Sequence, residues 1–330
     1  MLKIDNVTAS YKMFDGDVVA VQDMDLTIND NEIFGIAGES GCGKSTLLKV
    51  LYDILEFPLS IDKGKVTLSG VRDGKEFSFD SGEIKKHWWS HISYVPQAAM
   101  SVLNPIALLK NQFLDSIPVE DKKRETQEQT LQRVTDYLVE LNLSPEVLNA
   151  YPFQLSGGMR QRCIIALATF MQPKPSVILA DEPTTALDVV VQRGILMLLM
   201  KLQKQYQNTM ILVSHDLGVH YQITDRIGIM YSGRMMEVGK TEEIFKNPQH
   251  PYTQMLIGAL PRVGDKSARE GIPGRPPSLK NPPAGCRFAE RCPKAIPACK
   301  DQTPIYREIK EGHFAACHLL NPDRPSEGGV

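Results

Sequence analysis

The sequence predicts a mixed α/β fold with four parts: an α/β core, an antiparallel β edge subdomain, an α-helical subdomain and a small cysteine-rich C-terminal extension. Residues 38–46 form a glycine-rich loop between an apolar run and a helix-like stretch, an order typical of α/β cores. Residues 176–180 are a second apolar run, as expected for a parallel strand buried on both faces. Four of the six cysteines lie between positions 286 and 317, which places the extension at the C-terminal end.

Length and composition limit the choice of function. The chain has 330 residues, 42% of them hydrophobic and 23% charged, with a formal net charge of −2. The length predicts more than one domain. The change of composition after about residue 258 places the boundary between domains 1–260 and 261–330, with the helical subdomain at about 98–160. The nearly balanced charge argues against broad electrostatic binding to nucleic acid. No apolar run approaches the roughly 18 residues of a membrane span and no signal peptide is evident, so we expect an intracellular protein that joins a membrane only through a partner.

The glycine-rich loop satisfies the phosphate-binding pattern G-x-x-x-x-G-K-[ST]. Its residues are Gly38, Glu39, Ser40, Gly41, Cys42, Gly43, Lys44, Ser45 and Thr46. The apolar run at 32–37 predicts a strand before it, and the spacing of apolar residues within 47–51 predicts a helix after it. Glycines let the backbone approach a phosphate, which the amide hydrogens and the helix N-terminus then hold. Lys44 is expected to reach the β- and γ-phosphates of a nucleotide, and Ser45 to bind Mg²⁺.

Short β-like runs precede this loop. The runs at 2–4, 18–21 and 25–28 predict an antiparallel edge sheet. Tyr11 lies just before the turn that follows the first run. Its ring could stack on adenine, because an aromatic face needs no hydrogen-bond code, or it could be a half-buried strand residue. The residues alone leave both interpretations open.

Apolar runs at 92–95, 176–180 and 210–213 predict three strands. Polar residues follow each of them, at the ends where α/β sheets bind ligands. Gln97 could bind Mg²⁺ through its amide oxygen or lie in an ordinary surface loop. Asp181 and Glu182 follow the run at 176–180, and acids beside a buried strand are costly unless they serve as metal ligand and base. His215 could hydrogen-bond a transferring phosphate or be structural.

A polar region with helical spacing lies between Gln97 and Asp181 in the sequence. Apolar residues recur at helical spacing within 124–141, which predicts an amphipathic surface helix. Leu155–Arg162 then has the sequence LSGGMRQR. Ser156 is a good N-cap for the apolar helix that follows, and the two glycines expose backbone amides to a ligand. The stretch fits either a second anion site or a simple capped helix.

The last part of the chain differs in composition. Prolines recur across 261–283, which predicts a semi-rigid linker. Beyond it, Cys286, Cys292, Cys299 and Cys317 are separated by five, six and seventeen residues. In a reducing compartment such a group indicates a metal before it indicates disulfides. The Cys-x-x-Cys pairs usual for zinc are absent, but the spacing alone leaves zinc and an iron–sulfur cluster about equally open.

Five stretches resemble, in order and spacing, the ATP-binding cassette (ABC) ATPases. They are GESGCGKST, the loop of Gln97, LSGGMRQR, VILADEPTTALD and the strand end at His215. The resemblance covers residues 1–260 and implies an ABC-type P-loop NTPase core. Within this family, HPYTQ at 250–254, the proline-rich segment and the cysteines resemble the ATPases of dipeptide and oligopeptide importers. The implied function is a motor subunit that couples ATP binding and hydrolysis, in a dimer of nucleotide-binding domains, to peptide uptake.

The resemblance also implies roles for the nucleotide-binding residues. Tyr11 would stack on adenine, and residues 38–46 would hold the phosphates. Ser45, Gln97 and Asp181 would bind Mg²⁺, the last of them through water. In this resemblance Cys42 is a departure, because many relatives have serine there, and it adds an oxidisable thiol.

Further implied roles concern catalysis and the dimer. Glu182 would polarise the attacking water, with His215 and Gln97 as the other catalytic residues. The signature motif, which would act in trans on the ATP of the second subunit, comprises Ser156, Gly157, Gly158 and Gln161. Asp188 would lie in the D-loop that links the two ATP sites.

For the tail and the partners, the resemblance favours a [4Fe–4S] cluster bound by Cys286, Cys292, Cys299 and Cys317, with zinc as the alternative. The implied partners are a second nucleotide-binding subunit, two membrane permease subunits and, indirectly, an extracytoplasmic substrate-binding protein. A paralogue is favoured over a second copy of this chain. The helical subdomain and the Gln97 loop would receive the permeases, at the cytoplasmic face of a bacterial or archaeal cell membrane. No nucleic acid partner is expected.

The resemblance leaves alternatives open. Oligosaccharide and nickel importers look similar, because the ATPase never contacts the transported molecule. A soluble ABC ATPase acting on nucleic acid is a second function class, but the large insertion or second cassette of such relatives is not found in the sequence. A redox-sensing regulator is a third. Co-purification with permease subunits would favour the importer, and hydrolysis stimulated by DNA or RNA would favour the second class.

Overall fold

The computed structural model of the chain describes residues 1–72, 74–97, 102–118, 125–260 and 271–320. The chain divides into two compact units. The first unit consists of Met1–Ser81 and Val213–Val330, and the second of Gly82–Leu212. The phosphate loop and the four C-terminal cysteines belong to the first unit, whereas the acidic pair and the signature motif belong to the second.

Strands account for much of the described chain. In chain order they are β1 (Leu2–Tyr11), β2 (Val18–Ile28), β3 (Ile33–Ala37), β4 (Leu59–Arg72), β5 (Lys75–Asp80), β6 (Ile92–Val95), β7 (Val177–Asp181), β8 (Thr209–Val213), β9 (Arg226–Tyr231), β10 (Arg234–Lys240), β11 (Tyr306–Lys310) and β12 (His313–Ala316). The strands predicted before the phosphate loop and before the acidic pair are therefore present, as β3 and β7.

The helices are mostly short. In chain order they are α1 (Lys44–Leu51), α2 (Leu109–Asp115), α3 (Gln127–Glu140), α4 (Gly157–Thr169), α5 (Val189–Tyr206), α6 (Leu217–Ile223), α7 (Thr241–Lys246), α8 (Pro251–Gly258) and α9 (Ala298–Asp301). Short 3₁₀ turns occur at Ile84–His87, Pro145–Asn149, Pro152–Gln154, Ala289–Arg291 and His318–Leu320. None of the helices in the described ranges combines the length and the apolar character needed to cross a bilayer.

An antiparallel sheet with the order β2-β1-β4-β5 forms one part of the first unit. The short runs predicted at 2–4, 18–21 and 25–28 are segments of the longer β1 and β2, which pair from Leu2↔Ile28 to Tyr11↔Val18 with register shifts between. Exposed and buried residues alternate along most of β1, because one face packs against the core. The edge sheet is thus longer than predicted, and β5 was not predicted.

A second set of strands in the first unit has the order β11-β12-β10-β9-β3. β3 pairs parallel with β9. The other pairs are antiparallel: β9 with β10, β10 with β12, and β12 with β11. All five residues of β3 are buried. The phosphate loop begins directly after this strand and ends at α1, so both of its ends are fixed by regular structure.

The second unit contains strands in the order β8-β7-β6, with β6 parallel to β7. All five residues of β7 are buried. The amphipathic helix predicted within 124–141 corresponds to α3, which begins with a capping box of Thr126 and Gln129. The unit therefore holds the acidic pair at the end of a fully buried strand.

The C-terminal region is more ordered than the predicted linker and extension. Residues 271–283 contain no helix or strand, but β11 and β12 form a hairpin, and β12 pairs with β10 through Glu237↔Ala315. The sequence analysis missed this hairpin because its strands have four and five residues and little apolar alternation. The end of the chain therefore adds two strands to a sheet of the first unit.

The same region also contributes to the core. Phe288 is buried among Tyr231 and Tyr252, with ring centroids 5.3 Å and 5.2 Å away. Cys286 and Cys299 belong to this cluster of buried side chains. Burial of these groups stabilises the end of the chain against the sheet that holds the phosphate loop.

Candidate functional site

The phosphate loop of the first unit requires glycine at two positions. Gly38 has φ 152° and Gly43 has φ 104°. A Cβ atom would lie 2.1 Å from the carbonyl oxygen of Met230 at Gly38, and 2.1 Å from that of Ala20 at Gly43. Backbone from neighbouring strands thus presses on the loop, and only glycine fits.

Lys44 is directed onto the loop itself. Its side chain is buried, with 6% of the residue exposed. Nζ donates to the carbonyl oxygens of Gly38 at 2.8 Å and of Glu39 at 3.0 Å. The first turn of α1 contains no acidic residue, so its positive end is not neutralised locally. The loop therefore presents a fixed cation beside the positive end of a helix, which suits a phosphate.

Cys42 lies within the loop but is protected. The residue is buried, and burial raises the pKa of its thiol, which the nearby Lys44 offsets only in part. Lys44 Nζ is 3.7 Å from Cys42 Sγ. Because the thiolate is the reactive form, Cys42 is less open to oxidation than its sequence position suggested.

Glu39 links the loop to the C-terminal region. Its carboxylate accepts two hydrogen bonds from the Arg291 guanidinium, at 2.8 Å and 3.0 Å. Its backbone N–H donates to the Tyr252 hydroxyl at 3.1 Å. Neither contact was evident from the sequence, because 252 positions separate Glu39 from Arg291.

Tyr11 lies beside the phosphate loop. It is the last residue of β1 and is half-buried. Its hydroxyl is 3.1 Å from Thr46 Oγ1. Tyr11 is thus a strand residue next to the start of α1, and its stacking on adenine stays a prediction.

His215 is exposed after β8, and the buried His220 holds the turn that contains it. His220 Nε2 lies 3.1 Å from the carbonyl oxygen of Ser214. The ring also fills the space beside Gly35, where a Cβ atom would be 2.5 Å from Nδ1. Burial lowers the pKa of His220 to about 4, so the neutral ring donates from Nε2 to Ser214. The sequence analysis missed this supporting histidine, which occurs on an apolar helix.

His220 makes stability depend on pH. The pKa is about 4 in the folded protein and about 6.5 when unfolded, so only the unfolded chain gains a proton as the pH falls from 6.5 to 4. The free energy of unfolding should therefore fall by about 3 kcal/mol over this range from His220. We expect His220→Gln, which keeps a donor for Ser214, to show a weaker pH dependence of its urea midpoint.

Measurements at pH 8 provide the reference for the variant and the natural protein. Histidine is neutral there in both the folded and the unfolded chain, so any difference in the urea midpoint comes from the substitution itself. Burial also lowers the pKa of His250 to about 4, so some acid sensitivity should persist in the variant. An identical pH dependence in the variant and the natural protein would contradict the assignment to His220.

In the second unit, Glu182 is held in an uncommon backbone conformation. Its φ is 46°, which is unfavourable for a residue with a side chain and is often found at functional positions. Its Oε2 accepts hydrogen bonds from Gln97 Nε2 at 2.9 Å and from Thr185 Oγ1 at 2.7 Å. Two of the predicted catalytic residues, Gln97 and Glu182, are therefore in contact. Thr185 is a further contact that the sequence analysis missed.

Asp181 lies one residue earlier, at the buried end of β7. Its Oδ2 accepts a hydrogen bond from the Tyr94 hydroxyl at 3.0 Å. Tyr94 is a residue of β6, so a neighbouring strand orients this carboxylate. Asp181 and Glu182 thus have different surroundings, as expected for two acids with different roles.

The signature motif begins a helix as predicted. Ser156 Oγ accepts from the N–H of Met159 at 3.3 Å, which caps α4. At Gly158 a Cβ atom would lie 2.6 Å from a methyl group of Val191, so glycine permits close packing of α4 on α5. Gln161 is buried, and its Nε2 has no hydrogen-bond partner among the described residues.

Asp188 begins the next helix. Its Oδ1 accepts from the N–H groups of Val190 and Val191, both at 3.0 Å, which is an N-cap for α5. Val189 and Val190 are exposed. The predicted D-loop residue therefore lies next to exposed apolar side chains.

The residues predicted to bind Mg²⁺ are divided between the two units. Ser45 lies in the first unit, and Gln97 and Asp181 lie in the second. In the described ranges, no group of three or more His, Cys, Asp or Glu side chains is arranged to hold a metal ion. The four predicted cluster ligands therefore do not form a preformed metal site in this part of the chain.

The four C-terminal cysteines are nevertheless neighbours. The pKa of Cys286 is raised to about 11, mainly by burial and to a smaller extent by Cys299, Cys317 and Cys292. The N–H of Cys286 donates to the carbonyl oxygen of Cys299 at 2.8 Å. All four are free thiols. The fold thus gathers the cysteines that are dispersed over 32 positions of sequence.

Backbone amides also face the sulfur atoms. Burial raises the pKa of the Cys286, Cys292 and Cys317 thiols, and hydrogen bonds from the N–H groups of Phe288, Lys294 and Leu319 offset that rise in part. The pKa of each of these three thiols is nevertheless raised overall, because burial is the largest influence.

The fold and the phosphate loop define an ATP-binding cassette. A dimeric structure of the ATP-binding cassette MJ0796 in a post-hydrolysis state, bound to ADP and Pi, matches with a TM-score of 0.60 and 31% identity. It covers 73% of this chain and 99% of that one. The predicted ABC-type fold, with an antiparallel sheet and helical parts, is confirmed.

The family follows from sequence similarity. Residues 21–185 match the model of the ABC transporter family, and 236–299 match the oligopeptide/dipeptide transporter C-terminal region. The dipeptide transport ATP-binding protein DppD of Caldanaerobacter subterraneus is 38% identical over 98% of both chains. The oligopeptide transport ATP-binding protein OppD of Salmonella typhimurium is 36% identical over 96% of this chain and 93% of its own. This chain belongs to the ABC transporter family, and it is an ATPase.

Proposed function

We propose that this chain is the ATPase subunit of a transporter that takes up dipeptides and oligopeptides. The similarity to dipeptide and oligopeptide transport ATP-binding proteins supports this, because it extends over nearly the full chain and includes the C-terminal region. The HPYTQ stretch within that region has a structural role: His250 caps α8, and Tyr252 contacts Glu39 of the phosphate loop. The region that matches the transporter C-terminal model therefore contacts the phosphate loop, the proposed ATP site.

The proposed reaction is phosphoryl transfer from ATP to water. Loop amides and Lys44 would neutralise charge on the phosphates, Tyr11 would stack on adenine, and His215 would contact the γ-phosphate. Glu182 would orient the water, supported by Gln97 and Thr185. Ser45, Gln97 and Asp181 would hold Mg²⁺, whose charge when bound offsets that of the phosphates.

A second nucleotide-binding subunit would complete each site. The residues proposed to act on its ATP are Ser156, Gly157, Gly158 and Gln161, with Asp188 linking the two sites. The exposed Val189 and Val190 beside Asp188 suit such an interface, since exposed apolar groups mark contact surfaces. A paralogue is the favoured second subunit.

The permease contact would involve the helical region, proposed at about 98–160 of a 1–260 ATPase domain. Tyr151 and Phe153 stack there with ring centroids 5.6 Å apart, and Phe153 is 67% exposed. An exposed aromatic pair suits a docking surface for an apolar helix. We infer a peripheral position on the cytoplasmic face of the membrane, through these permeases.

Reconstitution tests the transport function. The chain, its neighbouring permease and ATPase subunits and the binding protein should take up labelled dipeptide into vesicles only with ATP. Uptake of an oligosaccharide or of nickel, but not of peptide, would overturn the peptide assignment. Hydrolysis stimulated by DNA or RNA and sensitive to salt would favour a nucleic-acid ATPase instead.

We further propose that the 261–330 region binds a [4Fe–4S] cluster through Cys286, Cys292, Cys299 and Cys317. The proximity of Cys286 to the other three cysteines supports this, and its N–H donates to the carbonyl oxygen of Cys299 at 2.8 Å. Protein purified without oxygen should be brown, contain about four iron and four sulfide per chain, and bleach with dithionite. Cys292→Ser should lose the colour, whereas Cys163→Ser should keep it. Colourless protein with one zinc would favour the alternative.

A further inference from the structure

A carboxylate lies within the phosphate loop, where it is electrostatically unfavourable for nucleotide binding. Glu39 is the second residue of the loop, and Lys44 Nζ donates to its carbonyl oxygen. Because ATP carries several negative charges on its phosphates, an unneutralised carboxylate in the same loop would repel it. The loop therefore needs a partner that neutralises Glu39 and holds its side chain in place.

Arg291 provides that partner. The guanidinium forms a two-point ion pair with the Glu39 carboxylate, at 2.8 Å and 3.0 Å. The Arg291 side chain is only 6% exposed and that of Glu39 22% exposed, so solvent screens the pair weakly. A planar guanidinium that binds a carboxylate at two points fixes orientation as well as charge.

The rest of Arg291 is immobilised by its own region of the chain. Its remaining N–H groups donate to the carbonyl oxygens of Pro273 at 2.7 Å and Ile272 at 3.0 Å, and also to the Tyr231 hydroxyl at 3.0 Å. The guanidinium also lies 5.6 Å from the centre of the Tyr231 ring. With these contacts the position of Glu39 depends on the position of the C-terminal region.

Arg291 is also adjacent to the cysteines. It ends the 3₁₀ turn Ala289–Arg291, which lies between Cys286 and Cys292. Cys286 belongs to the buried cluster of Tyr231, Tyr252 and Phe288, and Cys292 packs against that cluster. A chemical change at either sulfur atom would therefore disturb the packing of the turn that presents Arg291.

We propose that Arg291 is a positioning residue of the phosphate loop, and that through it the state of the C-terminal cysteines sets the affinity for nucleotide. This rests on the proposed role of the loop as the ATP site. Arg291 neutralises Glu39 and keeps its carboxylate away from the bound phosphates. Tyr252 fixes the backbone N–H of the same residue. Disturbance of the cysteines relaxes this arrangement and weakens ATP binding.

Removal of the Arg291 charge, and rescue of that loss, test whether Arg291 positions the phosphate loop. The affinity for ATP is measured with a fluorescent ATP analogue and the full chain. Arg291→Gln should weaken binding about tenfold, within the range of couplings between sites. Arg291→Gln combined with Glu39→Gln should recover most of the loss, because the repelling carboxylate is gone. Arg275→Gln, an exposed arginine of the same segment, should bind like the natural protein.

Rescue separates positioning from simple structural support. If Arg291 only stabilised the fold, the double variant would be no better than the single one, and the inference would be wrong. Equal affinity in Arg291→Gln and the natural protein would also overturn it. Thermal melts check that each variant is folded. Absence of ATP binding by the natural protein would instead refute the proposed function.

A second pair of variants tests the connection to the cysteines. Cys292→Ser should weaken ATP binding about tenfold, and it should cause no further loss when Arg291→Gln is already present. Cys163→Ser serves as the control for removal of a buried thiol outside the region. Losses that simply multiply in the double variant, or unchanged affinity in Cys292→Ser, would contradict control by the cysteines.

Discussion

Replacing Glu182 with glutamine should lower the rate of ATP hydrolysis by about a hundredfold to a thousandfold, the usual contribution of a general base. The amide keeps the size of the side chain, and its oxygen can still accept from Gln97 and Thr185, which lie 2.9 Å and 2.7 Å from the carboxylate. The geometry of the site should therefore persist without the base. ATP should bind with nearly natural affinity, and the protein should accumulate as a closed dimer visible by size-exclusion chromatography.

The comparison needs a substitution of the same kind elsewhere in the second unit. Glu146 is exposed on a 3₁₀ turn, and Glu146→Gln should hydrolyse ATP at the natural rate. Natural turnover in Glu182→Gln would remove Glu182 from the proposed role. Loss of ATP binding in that variant would indicate instead that the carboxylate supports the fold of the strand end.

Local sequence patterns were sufficient to predict those features whose structure is determined by neighbouring residues. The strand before the phosphate loop, the N-cap at Ser156 and the buried strand that ends at Asp181 were predicted because each depends on a few consecutive residues. The same holds for the glycines of the loop. Their need for positive φ is local, although the backbone oxygens of Met230 and Ala20 that exclude a Cβ are not.

Long-range contacts were not predictable in this way. Arg291 appears in the sequence as one arginine beside a cysteine, and only the fold brings it to Glu39. His220 has the spacing of an ordinary helix residue, and its contact with Ser214 depends on how α6 packs beneath β3. The β11–β12 hairpin depends on pairing with β10. These features share one physical cause: their stabilising partners are far away in sequence.

Residues of the C-terminal region are in direct contact with the phosphate loop. The phosphate loop alone would serve any P-loop ATPase, but here Tyr252 and Arg291 both bind Glu39. Glu237 is fully buried and accepts hydrogen bonds from the N–H groups of Gln249 and His250, which fixes the start of α8. The region 236–299, which matches the oligopeptide/dipeptide transporter C-terminal model, thus helps to hold the phosphate loop in place.

Replacing Lys44 with alanine should abolish most nucleotide binding. The ammonium is buried and held by the carbonyl oxygens of Gly38 and Glu39 at 2.8 Å and 3.0 Å, so it needs little reorganisation to meet a phosphate. Truncating one partner of a buried charge pair costs on the order of a hundredfold in affinity or more. We expect a loss of this size for ATP, measured by titration with a fluorescent analogue.

Lys49→Ala provides the matched control, because Lys49 lies on the same helix but is exposed. That variant should bind ATP normally, which separates loss of the loop cation from loss of a positive charge on α1. Removing Lys44 also leaves two loop carbonyl groups without their donor, so the loop should loosen and the melting temperature should fall modestly. Unaltered ATP binding in Lys44→Ala would count against the loop as the phosphate site. A loss confined to that variant would identify the buried ammonium as the group that holds the phosphates.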